Sequence, residues 1–343
     1  MTIGLDDFFK LRGKLPAVDV RSPGEYLHGH IPGVQNIPIL NNEERVAVGT
    51  TYKQSGQKAA IKVGFRMVGP RLEQIINETE QLANGQELLV HCWRGGMRSN
   101  NFCQFVGMAG VETLQLIGGY KAYRQRAVES YECPFNFLVI GGKTGSGKSE
   151  VLRTLKKRGE QVLDLEMLAN HKGSVFGGLM MGPQPTTEQF QNDLFEEIHK
   201  LDLKNRIWVE DESIGIGNIF LPDSIWKSIR SAPLFRIDMP KEIRIQRLVN
   251  EYGCADRMEF LNAMEKITKK LGGQNFIEAK EYLMKGDMAT TINILLNYYD
   301  RAYVTGMERR EYIVSPSVSW NGTNPDVCAD ELIESARSIA VNS

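Results

Sequence analysis

Residues 137–155 read FLVIGGKTGSGKSEVLRTL, and no other run constrains the fold as strongly. Apolar strand-type residues lead into glycines, and a helix-forming stretch follows. Gly142, Gly147, Lys148 and Ser149 fall in the pattern G-x-x-x-x-G-K-S, with Gly145 inside it. The backbone N–H groups of such a loop cradle phosphate oxygens. Its lysine neutralises the outer phosphates, and its serine hydroxyl can ligate Mg²⁺. The device needs a strand before it and a helix after it. It therefore predicts a parallel α/β sheet with the loop at a strand's carboxyl end. A chance glycine turn is the plainer reading, and it has no need of that context.

The residues after the loop keep alternating. The pattern predicts helix Ser149–Arg158, strand Gln161–Leu165, helix Thr187–Leu203, and strands Arg206–Asp211 and Leu234–Asp238. From about residue 241 to 307 the pattern is mostly helical. A strand Glu311–Val314 and a helix Asp326–Val341 close the chain. Before the loop, strands at Ala17–Val20 and Leu88–His91 alternate with turns and helices, including Ser99–Gly107. Pro134 follows a charged helical stretch, Tyr120 to Glu132, so a boundary is expected at 130–135. The expectation is two α/β domains, 1–132 and 133–343, the second with a helical insertion at about 241–307.

Composition excludes several classes. The net charge is −1, so bulk charge argues neither for nor against a nucleic acid. The acidic start MTIGLDDFFK lacks the form of a secretory signal. No apolar run reaches membrane-spanning length, and no membrane association is expected. Five scattered cysteines suit a reducing, cytoplasmic setting better than a disulfide scaffold. No Cys/His cluster has zinc spacing. Oligomeric state is not legible.

A second constellation lies in LLVHCWRGGMRSNNFCQF, residues 88–105. Cys92 sits where a strand ends and a glycine loop leads to a helix. Loop amides and a helix N-terminus favour an anion, and for a thiol that means the thiolate. Arg94 and Arg98 can add full charge, and Gly95 and Gly96 permit a tight cradle. The loop reads as a nucleophilic sulfur that carries or attacks an anionic group. The plainer reading is a buried filler cysteine. Cys103, Cys133, Cys254 and Cys328 lack such surroundings and read as filler or surface residues.

Weaker signals remain. In RIWVEDES, Glu210 or Asp211 can hold Mg²⁺ through water, against a plain acidic turn. We take Asp211, with Ser149, as the metal pair. Asp164, ending QVLD, faces the same sheet edge as the phosphate loop. Between Arg45 and Arg71 stand Arg45, Lys53, Lys58, Lys62, Arg66 and Arg71, with no acidic residue. They can track an RNA backbone, or they form a solvated helical face. Arg309 and Arg310 are a small basic pair of no evident role. The run His171–Thr187, rich in glycine and methionine, reads as an apolar lid or as a loop packed on the core. His171 and His199 read as structural.

A resemblance follows from these residues. VDVRSPGEYLHGHIPGVQNIPI and GGYKAYR, with the cysteine loop between them, resemble the rhodanese signature over about residues 5–128. The H-C-x₅-R spacing is one residue longer than the commonest rhodanese loop, and is also similar to that of cysteine phosphatases. A larger cargo than one sulfur is therefore allowed. Joined to GGKTGSGKSE, DLEMLANHKGSVFGGL, PQPTTEQFQNDLF and WVEDES, the chain resembles the tRNA 2-selenouridine synthases.

That resemblance implies an enzyme, a selenotransferase with tRNA geranyltransferase activity. It implies conversion of wobble 2-thiouridine to 2-selenouridine in tRNAs for lysine, glutamate and glutamine. Selenophosphate would be the donor, with the enzyme that supplies it as a partner, and geranyl diphosphate would form an S-geranyl intermediate. Cys92 would carry selenium. The phosphate loop would hold the diphosphate. The other reading is a rhodanese-type sulfurtransferase with a P-loop kinase or ATPase domain. A phosphatase fused to a nucleotide-binding module ranks below it.

Overall fold

The computed structural model describes residues 1–308, 310 and 313–340. Arg309, Glu311, Tyr312 and Val341, which enter the expectations above, lie outside them. The chain divides into two compact units, Met1–Ser130 and Tyr131–Ser343.

The first unit is built on five strands: β1 (Thr2–Ile3), β2 (Ala17–Asp19), β3 (Gln35–Asn36), β4 (Leu88–His91) and β5 (Thr113–Leu116). Their order is β1-β5-β4-β2-β3, and every pair is parallel. β2 and β4 are buried along their whole length, as expected of strands covered on both faces. Val18, Val90, Phe102 and Val106 lie in one cluster between the sheet and the Met97–Met108 helix.

The second unit carries β6 (Phe137–Gly142), β7 (Gln161–Leu163), β8 (Ile207–Glu210), a two-stranded ribbon β9 (Gly215–Ile216) and β10 (Ile219–Phe220), β11 (Leu234–Asp238) and β12 (Ile313–Ser319). Its main sheet is parallel in the order β12-β11-β6-β8-β7. The phosphate-loop strand β6 is therefore central. The chain leaves it toward β7 and β8 and later crosses to β11 and β12. That reversal leaves a crevice at the strand's carboxyl end, where ligands bind in such sheets. Trp208 is fully buried at the centre, edge-on to Phe235 at 5.0 Å. Its indole N–H finds an acceptor in Glu160 at 2.9 Å, as a buried indole requires.

Between β11 and β12 run helices Lys241–Tyr252, Arg257–Glu265, Thr268–Leu271, Gly273–Lys285 and Met288–Met307, around their own apolar cluster of Phe260, Met264, Leu283 and Leu295. The segment after His171 packs onto that cluster. Phe176 stacks on Phe260 at 4.6 Å, and Val175 and Leu179 lie against the same group. The packed-loop reading holds for Val175, Phe176 and Leu179, whereas Met180 is 61% exposed. The last strand runs later than expected, Ile313–Ser319. Its register to β11 shifts between the Val314 and Val318 pairs, around Pro316, which has no N–H to give. No helix is long and apolar enough to cross a membrane among the described residues.

One buried ion pair stiffens the first unit where its site forms. Asp19, ending β2, and Arg21 are 0% and 1% exposed. The guanidinium donates to both carboxylate oxygens (2.6–3.1 Å) and to Gly29 O at 2.7 Å, and lies 3.9 Å from the Tyr120 ring centre. Removing one partner strands a buried charge. Asp19→Ala should therefore destabilise this unit by about 3–5 kcal/mol, read by denaturant unfolding. Asp19→Ala combined with Arg21→Met should cost clearly less.

Candidate active site in two loops

Both loops leave the central strand of a parallel sheet. β4 ends at His91, and Cys92 begins the first loop. Cys92 is 3% exposed, while Trp93, Arg94, Gly96 and Met97 after it are exposed. The sulfur thus lies on the floor of the loop and not on its rim. Its Sγ is 3.1 Å from Ser99 Oγ. Gln115 on β5 fixes that serine, donating to Ser99 Oγ at 2.8 Å and to Gly95 O at 2.9 Å.

The loop is shaped by the turn that follows β5. The Tyr120 amide donates to Cys92 O at 2.8 Å, and the Lys121 amide to Trp93 O at 2.9 Å. Gly95 (φ 67°) and Gly119 (φ 57°) are left-handed and close to one another's backbone. A Cβ on Gly119 would collide with the Cys92 carbonyl, and one on Gly95 with the Leu116 carbonyl. With its carbonyls taken, the loop keeps its donors. Among the described residues, no amide from Trp93 to Met97 donates to a backbone carbonyl. Unused amides at a helix N-terminus are an anion site in kind.

The two arginines differ. Arg94 is exposed. Arg98 is tied to Glu25 by bonds of 2.6 and 3.2 Å, and Arg45 reaches the same carboxylate at 3.3 Å. Burial pushes the Glu25 carboxyl up. The Arg98 hydrogen bond and charge, with bonds from Ser22, outweigh this and hold it at about 2. A cavity of about 550 Å³ opens here, lined by Arg98, Arg45, Glu25, His28, Asn42 and Trp93 among others. Trp93, 37% exposed, is its aromatic wall. His91 is fully buried; burial lowers its basicity, despite Asp19 at 3.8 Å.

The expected basic residues lie on and just after the helix Asn42–Val68, which kinks at Gly56 (φ 80°). Arg45 and Arg71 are engaged, Arg71 with Glu44 at 2.5 Å. Lys53, Lys58, Lys62 and Arg66 are exposed and have no ion-pair partner among the described residues. Lys58, Lys62 and Arg66 recur every four residues and so share one face.

The second loop joins β6 to the helix Lys148–Lys157, with Gly145 (φ 83°) and Gly147 (φ 78°) left-handed. The amides of Thr144, Gly145, Gly147, Lys148 and Ser149 donate to no backbone carbonyl among the described residues. Lys148 Nζ folds back to Gly142 O at 3.2 Å. The loop is braced from the helical insertion. Buried Arg244 donates to Thr144 O at 3.2 Å and makes a two-pronged pair with Asp300 at 2.8 and 2.7 Å. A Cβ on Gly147 would meet Trp320 and Arg247.

The acidic residues sort differently from the expectation. The Asp211 carboxylate pairs with Arg310 and lies 3.7 Å from Arg230, so its charge is already answered by two arginines. Asp164 caps a short helix through the Met167 amide at 2.9 Å. Ser149 Oγ instead donates to Glu166 at 2.5 Å. Glu210 is 1% exposed; one oxygen accepts the Glu166 amide at 2.6 Å and the other has no partner among the described residues. Burial, then Asp164 and Glu166, push its carboxyl well above the usual range. Burial and Glu166 likewise raise Glu212 to about 8 against the pull of Lys148. A crowded set of carboxylates with a stranded oxygen suits a cation. No three acidic, His or Cys side chains among the described residues form a metal cage. The donor set fits an ion such as Mg²⁺ that keeps waters and phosphate oxygens.

Sequence reasoning missed Ser99, Gln115, Glu25, Glu166 and the Arg244–Asp300 brace. Ser99 had a signal, a serine in the first turn after the loop. The brace joins residues 56 apart and had none.

Comparisons with known proteins fit this layout. Residues 6–126 match the family model of the rhodanese-like domain, and residues 135–324 match that of the tRNA 2-selenouridine synthase AAA domain. A tRNA 2-selenouridine synthase of Nitrosomonas europaea is 33% identical over 93% of this chain and 96% of its own. One of Bdellovibrio bacteriovorus is 34% identical over 88% and 91%. Among solved structures, the N-terminal domain of a Clostridium difficile protein named for ATP/GTP binding is 39% identical. It covers 37% of this chain and 98% of that one, with a TM-score of 0.35.

The Glu25–Arg98 pair makes a pH prediction. The folded-state carboxyl lies below the usual 4.5, so its contribution is complete above about pH 4.5 and is lost as pH falls toward 2. The stability gap between the native chain and Glu25→Gln should close across that window, measured by denaturation midpoints.

Proposed function

The chain belongs to the tRNA 2-selenouridine synthase family, and from that premise we propose that it replaces sulfur by selenium at a wobble 2-thiouridine of tRNA. The tRNAs for lysine, glutamate and glutamine are the substrates, with selenophosphate and geranyl diphosphate as co-substrates. The observation that carries the reading is the pairing, in one chain, of a cysteine loop and a phosphate loop that both keep unused amides.

Geranylation comes first. The base sulfur attacks C1 of geranyl diphosphate; an S–C bond forms, the C–O bond breaks, pyrophosphate leaves and the N3 proton is lost. The amides of the 142–149 loop and Lys148 stabilise charge gathering on the leaving group. Mg²⁺, when bound, supplies further neutralisation there. Ser149 and, through water, Glu210 would hold it, in place of Asp211, which is already paired. Alkylation turns a poor leaving group into a geranyl thiolate.

Selenation follows. Cys92, resting as a mixed disulfide with a small thiol, is attacked at Sγ by the selenium of selenophosphate; the S–Se bond forms, the small thiolate leaves, and water then splits the Se–P bond, releasing phosphate and leaving a Cys92 perselenide. Loop amides and Arg94 bind the donor's oxygens, and Arg98 lines the adjoining cavity. The terminal selenium adds to C2 and geranyl thiolate leaves. The small thiol then attacks Cys92 Sγ, cleaving the S–Se bond, freeing selenouridine and restoring the mixed disulfide. Lys53, Lys58, Lys62 and Arg66 guide the RNA backbone. An anticodon-loop base is unstacked and needs no duplex melting to reach the cavity beside Trp93.

Nucleoside analysis of 2-thiouridine anticodon stem-loops, incubated with each donor, tests this. Cys92→Ser should abolish selenation and leave geranylation within about twofold. Lys148→Ala should slow geranylation by about 10²-fold or more. Full selenation by Cys92→Ser sinks the carrier role, and rapid thiosulfate turnover with no effect on RNA sinks the whole reading.

A further inference from the structure

A second groove in the first unit, apolar in its lining, has no role assigned so far. It runs between the Asn42–Val68 helix and the Met97–Met108 helix, with a volume of about 120 Å³. Its walls include Val48, Ala60, Ile61, Phe65 and Phe105, together with Met97 and Arg98, the first residues of the helix that follows the cysteine loop. Tyr52, Phe65 and Met97 are exposed around it, Phe65 by 53%. An apolar cavity of about 150 Å³ suffices to hold benzene, so an open groove of this size can seat several carbons of a chain.

We propose that this groove binds the alkyl chain of an S-alkylated uridine, holding the base-linked isoprenoid beside Cys92 while its sulfur is displaced. The proposal rests on the functional reading above. Three observations favour this occupant. A uridine ring is polar, and gains little from walls of valine, isoleucine and phenylalanine; a hydrocarbon chain gains by leaving water. Arg98 lines both this groove and the polar cavity of Trp93 and Arg45, so a base in one and its chain in the other would meet at the cysteine loop. The unpaired stripe Lys58, Lys62 and Arg66 also lies on the same helix as Ile61 and Phe65, one residue out of phase. The groove is thus flanked by charge suited to the phosphates of an RNA that carries the chain.

Gly64 provides the test. It lines the groove, is helical, and a Cβ there would make only ordinary contact with Val48. Gly64→Leu therefore fills the groove without backbone strain and improves helix propensity. The probes are anticodon stem-loops of one sequence bearing 2-thiouridine or its S-methyl, S-prenyl or S-geranyl derivative. In the native chain, affinity should rise about tenfold or more per five-carbon unit, each buried CH₂ being favourable. In Gly64→Leu the series should be flat, with affinity for the unalkylated RNA unchanged. Phe65→Ala should lower the slope without removing it. Selenation of the S-geranyl RNA is measured alongside. If selenation proceeds and Gly64→Leu keeps the full slope, the groove is wrong and the functional reading stands. If the native chain selenates none of the RNAs, the functional reading fails first.

Discussion

A strand that ends in the middle of a parallel sheet must pass its chain into a helix, and the amides at that junction have no neighbouring strand to bond. Everything chemical here depends on those unspent donors. The chain uses the junction twice, after β4 and after β6, each time with left-handed glycines that let the loop turn sharply. What differs is the group placed at the junction: a sulfur in one, an ammonium and a hydroxyl in the other.

The loops hold their shape because their carbonyls are satisfied from outside. Tyr120 and Lys121 do this for the first, and Arg244, itself clamped by Asp300, for the second. Each brace comes from an element distant in sequence. The electrostatics follow one logic. Around the cysteine loop a carboxylate, Glu25, is fully ionised between arginines. Around the phosphate loop, Glu210 and Glu212 are buried among other acidic groups and resist ionisation, even with the Lys148 charge acting on Glu212.

Strands with strong apolar runs were legible from the residues alone. Leu88–His91 and Leu234–Asp238 begin and end where expected, because burial on both faces leaves no alternative pattern. The long helix 42–68 was not, since its many polar residues and its kink at Gly56 blur the period. The glycine and cysteine loops were legible because their chemistry is local. The acidic partners were not. Asp211 and Glu210 are neighbours in sequence, yet successive strand-end residues point oppositely, and only the fold decides which one meets Arg310. Ser99 and Gln115 act through a hydrogen-bond chain across two elements, which no single-segment pattern reveals.

The dependence of the Cys92 loop on residues 118–121 has a consequence for biosynthesis. β1 pairs with β5, and the turn after β5 anchors the loop. A nascent chain that has emerged only as far as the cysteine possesses neither partner. The Cys92 loop is assembled late, when nearly the whole first unit has left the ribosome. A prematurely terminated product ending before that turn would contain the thiol but not the loop geometry the turn imposes on it.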